Sequence, residues 1–429
     1  MKETVSPRAT FRDVFAVREF RCLWFSEILS VAGDRLALVA LTLLVYDRTK
    51  SPLLAAVTYA VGYLPWVIGG LFLADLADRR PRRSVMVGCD LVRAALVAVM
   101  AVPYVPLWVL VALLFAVTMF TPSFESARAA IVPDIVHGEQ YILATAVHQT
   151  TFYAAQILGA VGGGVAVAVI GVRPSLAIDA VTFLLSALLI RLGLRARPAP
   201  AKPETAPPSP LARMWDGFRL VFGDEALRIL MLLGWLVVFY TIPEGVAAPY
   251  VARLGGGPVA TGLVLASTVA STTIFIPLFS RFVRERQRAS LMGPLAVLTC
   301  GTLVLTALQP DLAASLVVFS LSAAFGVYQI AANTAFVVRV PNERRSQAFG
   351  IASMGVIVGQ GLAFMAAGAA AEVVTPAAVI AIGGAIGAVV AVVLTLRWRH
   401  VSPPGGRHAA RRHPGHAATR NSVPLRRSG

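Results

Sequence analysis

The sequence predicts an all-α membrane protein with twelve transmembrane helices in two pseudo-symmetric six-helix bundles. Of its 429 residues, 57% are apolar and 14% are charged, and the mean hydropathy is +0.73. An average soluble chain is about one quarter charged. The apolar residues also gather into a dozen runs of roughly 20 residues, the length that crosses a bilayer core. The composition therefore excludes a soluble enzyme.

Each span is predicted as an apolar run between charge clusters and Gly or Pro breaks. The predicted spans cover residues 22–46, 53–74, 84–102, 106–124, 140–170, 173–191, 227–251, 258–280, 290–308, 311–337, 346–371 and 376–396.

The basic residues alternate between the two sides of these spans. The N-terminal segment, the even-numbered loops with their helix ends, and the C-terminal segment carry 32 Lys and Arg residues, whereas the odd-numbered loops carry 4. Only Arg35 and Arg93 fall inside predicted spans. Because basic loops stay on the cytoplasmic side, both termini are predicted to be cytoplasmic. Only three of the 38 basic residues are lysines, which suggests a GC-rich bacterial genome and an inner (cytoplasmic) membrane.

The predicted domains are an N-terminal cytoplasmic segment (1–21), a first bundle (22–191), a linker (192–226), a second bundle (227–397) and a disordered basic tail (398–429). The tail is expected to lie against anionic lipid headgroups. The linker contains the run ARPAPAKPETAPPSP, which is typical of an extended connection. After it, apolar residues at helical spacing predict an interfacial amphipathic helix over 211–222, ended by Gly223-Asp224-Glu225. The alternative is that this segment begins span seven.

The two halves resemble each other. The basic loop Asp75–Arg83 after span two has a counterpart, Arg281–Ala289, after span eight. Spans five and eleven each carry a Gly-x-x-x-Gly pair, at Gly159/Gly163 and Gly355/Gly359. The run LGAVGGG could be taken for a dinucleotide-binding loop, but no strand precedes it. Close helix packing is the better interpretation.

These features resemble the major facilitator superfamily. Its loop pattern, Gly-x-Leu-x-Asp-Arg-x-Gly-Arg-Arg/Lys, lies over residues 74–83, with Ala74 and Pro81 in place of the two glycines. The runs FRCLWFSEILSVAGD, YLPWVIGG and QILGAVGGG and the pair Pro133-Asp134 are similar to the twelve-helix branch of drug:proton antiporters and macrolide or siderophore exporters. The resemblance implies a transporter that works by alternating access.

The DR-rich loop predicts a cytoplasmic gate. Asp78 is expected to face the positive N-terminus of span eleven near Ser346, and Arg79 and Arg82 are expected to pair with Glu125. The alternative is that the loop is only a topology signal. The residues assigned to this gate are Asp75, Asp78, Arg79, Arg82, Arg83 and Glu125.

Ionisable residues inside the membrane are candidates for proton coupling or substrate binding: Asp34, Arg35, Asp179 and Glu244. We expect Asp34 and Glu244, one from each half, to form the coupling site, and Asp179 is the next candidate for the coupling residue. Arg35 could pair with Asp34, and Glu244 could simply be hydrated at the outer end of span seven. Asp90 and Arg93 are expected to pair with each other and to snorkel.

Other polar residues are candidates for the cavity between the halves or for helix packing: Gln149, Gln156, Gln329, Asn333 and Gln360. His148 stands alone in its span and is expected to be satisfied structurally. No catalytic group, metal site, cofactor or nucleic-acid partner is expected, since nucleotide-binding and metal-ligand motifs are missing from the sequence. The expected partners are a small-molecule substrate, protons and membrane lipids, and the expected state is a monomer.

The predicted function is secondary active export of a small amphipathic compound, such as a drug, macrolide or siderophore, by proton-coupled antiport. The alternatives are uptake of a small metabolite and a non-transporting membrane sensor or lipid scramblase.

Overall fold

The computed structural model describes residues 10–72, 80–198 and 210–401. Within these ranges, twelve helices are long and apolar enough to cross a membrane, which confirms the predicted fold class. We number them α1 (Arg18–Thr49), α2 (Pro52–Gly70), α3 (Arg82–Ala101), α4 (Leu107–Asp134), α5 (Glu139–Ile170), α6 (Val172–Gly193), α7 (Glu225–Gly245), α8 (Pro258–Phe282), α9 (Gln287–Leu308), α10 (Leu312–Arg339), α11 (Asn342–Ala370) and α12 (Pro376–Val401). The first half is α1–α6 and the second half is α7–α12.

The largest boundary error concerns α4. The sequence predicted an end at residue 124, where Glu125 and Arg128 lower the local hydropathy, but helix continues to Ile131 and a 3-10 turn to Asp134. Arg128 is therefore inside a spanning helix and buried, so the expectation that only Arg35 and Arg93 lie inside spans is wrong.

Helix α7 is divided into short segments. It runs as Glu225–Trp235, Val237–Tyr240 and Ile242–Gly245, and a further segment, Ala247–Arg253, follows directly. Pro243 lies in the first turn of the third segment, where its missing N–H is tolerated. Helix α10 is likewise divided into Leu312–Phe325 and Tyr328–Arg339.

Equivalent glycine pairs pack equivalent helices in the two halves. A Cβ atom on Gly163 would lie 3.0 Å from Leu36 Cα of α1, and one on Gly359 would lie 2.8 Å from Val238 Cγ2 of α7. The first pair therefore holds α5 against α1, and the second holds α11 against α7. The run LGAVGGG is interior helix of α5, as the helix-packing interpretation requires.

The two halves meet closely at the end that carries the odd-numbered loops, which we call the predicted outer end. A Cβ atom on Gly164 of α5 would lie 2.5 Å from the carbonyl oxygen of Pro258, at the start of α8. Gly368 of α11 is equally close to α2, since a Cβ there would lie 3.0 Å from Pro52 O. In the described residues, the predicted outer end is thus tightly closed.

The linker helix forms as predicted, over Pro210–Gly223, and Asp224 then caps α7 by accepting a hydrogen bond from Leu227 N. Its Val221 is buried, and Gly217 packs against Gln347 and Ile351 of α11. Trp215 and Phe218 stack on the exposed face. One face is therefore held by α11, and an interfacial position of the other stays a prediction.

Candidate functional site

A cavity of about 400 Å³ lies mainly within the first half. Its aromatic lining comes from α2, α4 and α5 and consists of Tyr63, Trp66, Phe124 and Phe152. Its polar lining consists of Ser30, Asp34, Arg35, Arg93, Thr118, Thr121, Glu125, His148, Gln149 and Gln156. From the second half, only Ile357 lines it among the described residues. The cavity therefore combines ring faces with a few charged groups, as small-molecule sites do.

Asp34 forms its ion pair with Arg93 of α3. Arg93 also donates from Nη1 to Ser30 Oγ at 3.0 Å, and its guanidinium lies over the Phe183 ring at 4.1 Å. The side chain is fully buried, so the expectation that it snorkels to the interface is wrong. The expected self-pairing is confirmed, since Arg93 Nη1 lies 3.5 Å from Asp90 Oδ1. Arg93 thus links α1 to α3.

Asp179 of α6 is fully buried against α1, close to Gly33. Thr182 Oγ1 lies 3.2 Å from Asp179 Oδ1, and the other carboxylate oxygen is buried without a hydrogen-bond partner. Asp179 therefore belongs to the interior of the first half, as Asp90 does, and lines neither of the cavities around Asp34 and Glu244.

A second cavity, of about 110 Å³, lies between the halves around Glu244 of α7. Tyr59 and Tyr63 of α2 each donate a hydroxyl to Glu244 Oε2, at 3.0 and 3.3 Å. Thr268 Oγ1 of α8 donates to Oε1 at 2.9 Å. Glu244 is only 8% exposed, so it lies in the interior between the halves rather than at a solvent-exposed end of α7.

Arg35 faces Glu244 rather than Asp34. It lines both cavities, interacts electrostatically with Glu244, and lies over the Tyr63 ring with its guanidinium carbon 5.9 Å from the ring centre. The alternative in which Arg35 pairs with Asp34 is therefore not the observed arrangement, since Asp34 pairs with Arg93. Adjacent positions on a helix point about 100° apart, which sends Asp34 toward α3 and Arg35 toward α2 and α7. Asp34 and Glu244 consequently line different cavities, which share Arg35, Leu38, Tyr63 and Gln156.

The predicted partners of the cytoplasmic gate are partly wrong. Glu125 pairs with Arg128 one turn away, with Arg128 Nε 2.9 Å from Glu125 Oε2. Arg82 donates to Asp134 Oδ2 at 2.7 Å and to Ala130 O at 2.8 Å. The expected contact of Arg82 with Glu125 is therefore replaced by local pairs. Arg83 donates to the carbonyl of Arg191. Asp75, Asp78 and Arg79 lie outside the described residues.

The predicted amides separate into two groups. Gln149 lines the large cavity, Gln156 lines both, and Gln360 lines the smaller one around Glu244 and donates to Thr241 Oγ1 at 3.3 Å. Gln329 donates to Tyr240 Oη at 2.8 Å within the second half, and Asn333 is exposed.

Several residues of the site escaped the sequence analysis. Tyr59 and Tyr63 were overlooked, although their spacing of four places both hydroxyls on one helix face. Glu27 of α1 was also missed. His148 Nδ1 contacts Glu27 Oε1, so His148 is not alone, but its partner is remote in sequence.

A hydrogen-bonded contact closes the predicted outer end. Glu372, just after α11, accepts hydrogen bonds from Ser51 Oγ at 2.5 Å and from Leu53 N at 3.0 Å, at the start of α2. These bonds stabilise the carboxylate and hold the pKa of Glu372 below its usual value. The contact joins the two halves on their surface.

The sequence profile described as Major Facilitator Superfamily matches residues 23–344 and, in a second alignment, 245–428. The chain belongs to the Major Facilitator Superfamily. It is accordingly a multi-pass membrane transporter of small molecules and not an enzyme, which confirms those predictions.

Relatives within the superfamily include exporters. Macrolide efflux protein A of Streptococcus pyogenes is 21% identical over 276 residues, which cover 62% of this chain and 68% of the relative. The multidrug efflux pump Tap of Mycolicibacterium fortuitum is 27% identical over 236 residues, 52% and 58% of the two chains. A POT family transporter solved with 5-aminolevulinic acid has the same fold, with a TM-score of 0.74 at 10% identity, over 92% of this chain and 99% of that one.

Proposed function

We propose that this superfamily member exports a small amphipathic compound of the drug, macrolide or siderophore-like class in exchange for protons, with Glu244 as the coupling residue. The observation that carries the proposal is the position of Glu244. A buried carboxylate of the second half is held by two tyrosine hydroxyls of the first, beside Arg35. Its charge state therefore bears directly on how the halves fit together.

The coupling follows from the free energy of burying a charge. Closure at the predicted outer end buries Glu244, and a neutral carboxyl is cheaper to bury than a carboxylate. Proton binding from outside therefore favours closure, and loss of the proton to the inside favours reopening. Arg35 offsets part of the cost of the carboxylate, which keeps the protonation reversible.

The chemistry of the large cavity supports an amphipathic cargo. Four aromatic rings offer apolar contact, and each carboxylate of the lining already has an arginine partner: Asp34 pairs with Arg93, and Glu125 with Arg128. Such a lining suits a neutral or zwitterionic compound better than a strongly charged one. The efflux proteins among the relatives support the outward direction, and we place both termini on the cytoplasmic side of a bacterial inner membrane.

The test is transport by Glu244→Gln in cells that lack their own pumps, with a panel of dyes and antibiotics and with and without a protonophore. We expect the variant to lose protonophore-sensitive efflux but to retain exchange of labelled for unlabelled cargo. Glu225→Gln is the matched control, because Glu225 is an exposed residue of the same helix. Gradient-driven efflux by Glu244→Gln with an unchanged pH dependence would refute the coupling role.

A further inference from the structure

Four ionisable side chains from three helices meet beneath the large cavity, near the end that carries the N-terminus and the even-numbered loops. We call Glu27 of α1, Glu125 and Arg128 of α4, and His148 of α5 the histidine cluster. His148 Nδ1 contacts Glu27 Oε1, and Arg128 Nη2 lies 2.8 Å from His148 Nε2. Arg128 also lies 4.0 Å from Glu27 and 2.9 Å from Glu125. The imidazole ring thus lies between a guanidinium and a carboxylate.

The geometry assigns the proton positions on the ring. An arginine N–H can only donate, so His148 Nε2 accepts from Arg128, and a neutral ring then carries its proton at Nδ1, the atom that lies beside Glu27 Oε1. In this arrangement the imidazole is neutral. Two carboxylates and one guanidinium then leave the cluster with one uncompensated negative charge, although Glu27 and Arg128 are only 3% and 7% exposed. A buried uncompensated charge is costly, and one added proton would cancel it.

His148 also connects two spaces. It lines the 400 Å³ cavity and, together with Glu27 and Arg128, a separate cavity of about 110 Å³. The separate cavity is lined by the first turns of α1 and α5, at Trp24 and Tyr141, which are next to the predicted cytoplasmic side. A proton held at His148 is therefore next to both the large cavity and the separate cavity near the predicted cytoplasmic side.

We propose that the histidine cluster is a second proton-binding site, in which His148 takes up the proton that leaves toward the predicted cytoplasmic side. When Nε2 binds the proton, an N–H bond forms there and the hydrogen bond from Arg128 is lost. The net charge of the cluster goes from −1 to 0. Arg128 then keeps its ion pair with Glu125, which lines the large cavity. Proton binding at His148 therefore changes the charges at the proposed cargo site.

This inference rests on the proposed proton exchange and adds to it a site remote from Glu244. The charged and titratable groups that face His148 are Glu27 from α1 and Glu125 and Arg128 from α4, and α5 itself adds Tyr141. Across the large cavity, α1 contributes Asp34 and Arg35, α2 contributes Tyr63, and α3 contributes Arg93. Of these groups, a histidine is the one whose ordinary titration falls between pH 5 and 8.

The first measurement is the pH profile of cargo exchange in liposomes that contain the purified full-length protein. Proton binding at a single imidazole changes the protonated fraction of that site by at most about tenfold per pH unit. We expect the wild-type profile to show this dependence and His148→Gln to lose it. His137→Gln is the matched control, because His137 is exposed at the turn before α5, and its profile should be that of the wild type.

A second readout does not depend on transport. Trp24 and His148 both line the separate cavity that contains Glu27 and Arg128, and Trp24 donates its indole N–H to Thr151. Its fluorescence in the detergent-solubilised protein should change between pH 8 and 6, and the change should be absent from Trp24→Phe and His148→Gln. Glu27→Gln removes the uncompensated charge but leaves the imidazole itself in place, so it should also abolish the change. It serves as the second variant should His148→Gln fold poorly.

The outcomes separate the two proposals. If wild-type efflux is insensitive to a protonophore but the Trp24 signal still depends on His148, proton exchange fails and the proton site stands. If both the exchange profile and the fluorescence of His148→Gln match those of the wild type, the second site is overturned. An equal effect of His137→Gln would overturn it as well.

Discussion

The two halves share a fold but not a distribution of charge. Among the described residues, the first half buries Glu27, Asp90, Arg93, Arg128 and Asp179, whereas the second half buries one charged side chain, Glu244. In the first half, ion pairs cross between helices. In the second, threonine and serine hydroxyls mostly satisfy nearby carbonyls, as Thr299 does with Leu295 O. A repeated fold therefore does not imply repeated chemistry.

This difference explains why Asp34 and Glu244, one carboxylate from each half, do not meet in one site. The charged lining of the large cavity comes from the first half alone. The second half contributes Glu244 to the smaller cavity between the halves. We infer that the first half holds the cargo and the second half supplies the switch. Three substitutions test this difference between the halves.

The largest effect is expected for Arg93→Met. Its removal leaves the buried Asp90 and Asp179 and the partly buried Asp34 without their shared cation, and breaking a buried pair on one side costs about 3–5 kcal/mol. Expression should fall, and the midpoint of thermal unfolding in detergent should drop. Arg253→Met, at an exposed arginine of the second half, is the control. Equal stability of the two variants would show that the charges of the first half are not a structural network.

An intermediate effect is expected at the seam, for Gly164→Ala. Its Cβ would lie 2.5 Å from a backbone oxygen of α8, closer than a real Cβ contact, so the two halves must shift apart at the predicted outer end. Overpacking of this kind costs about 1–3 kcal/mol, which corresponds to a 5- to 150-fold smaller closed population. Transport should fall by a similar factor while each half stays folded.

The control for this substitution is in the same helix. A Cβ on Gly162 meets nothing within 4 Å, so Gly162→Ala should transport like the wild type. If both variants transport normally, close contact at the seam is not needed for the cycle.

The smallest effect is expected for Glu372→Gln, which weakens one exposed contact between the halves. Because hydrogen bonds lower the pKa of Glu372, the contact persists above the pKa of an ordinary glutamate, about 4.3, and is lost as the pH falls through the lowered value. At neutral pH, the variant should open more often at the predicted outer end than the wild type does.

A cysteine at Ala56, which is buried and packs on Gly368 of α11 across the seam at the predicted outer end, reports this opening. Its labelling by an impermeant thiol reagent should be faster in Glu372→Gln at pH 7. The ratio of the two rates should approach one as the pH falls. A ratio that stays constant with pH would mean that the carboxylate charge plays no part in closure.

Part of this structure could be predicted from sequence and part could not, for physical reasons. Bilayer thickness fixes the length of an apolar run, so the number of spans follows from hydropathy. The rarity of charges in lipid identified Asp34, Arg35, Asp179 and Glu244. Partners such as Arg93 for Asp34, or Glu27 for His148, lie on different helices, and helical periodicity relates only residues within one helix. Arg128 was misplaced because its own charge shortened the predicted span.

The segmented course of α7 has a mechanical consequence. Its first segment, Glu225–Trp235, packs on helices of the second half, whereas the segment Ala247–Arg253 also packs on α1 and α2. The short pieces between them contain Glu244 and Pro243. A continuous helix would have to move with one half and slide past the other. A segmented helix can bend at residues 236–246 while its two ends stay packed on different halves. The groups around Glu244 therefore lie where the segment that follows the second half joins the segment that also contacts the first.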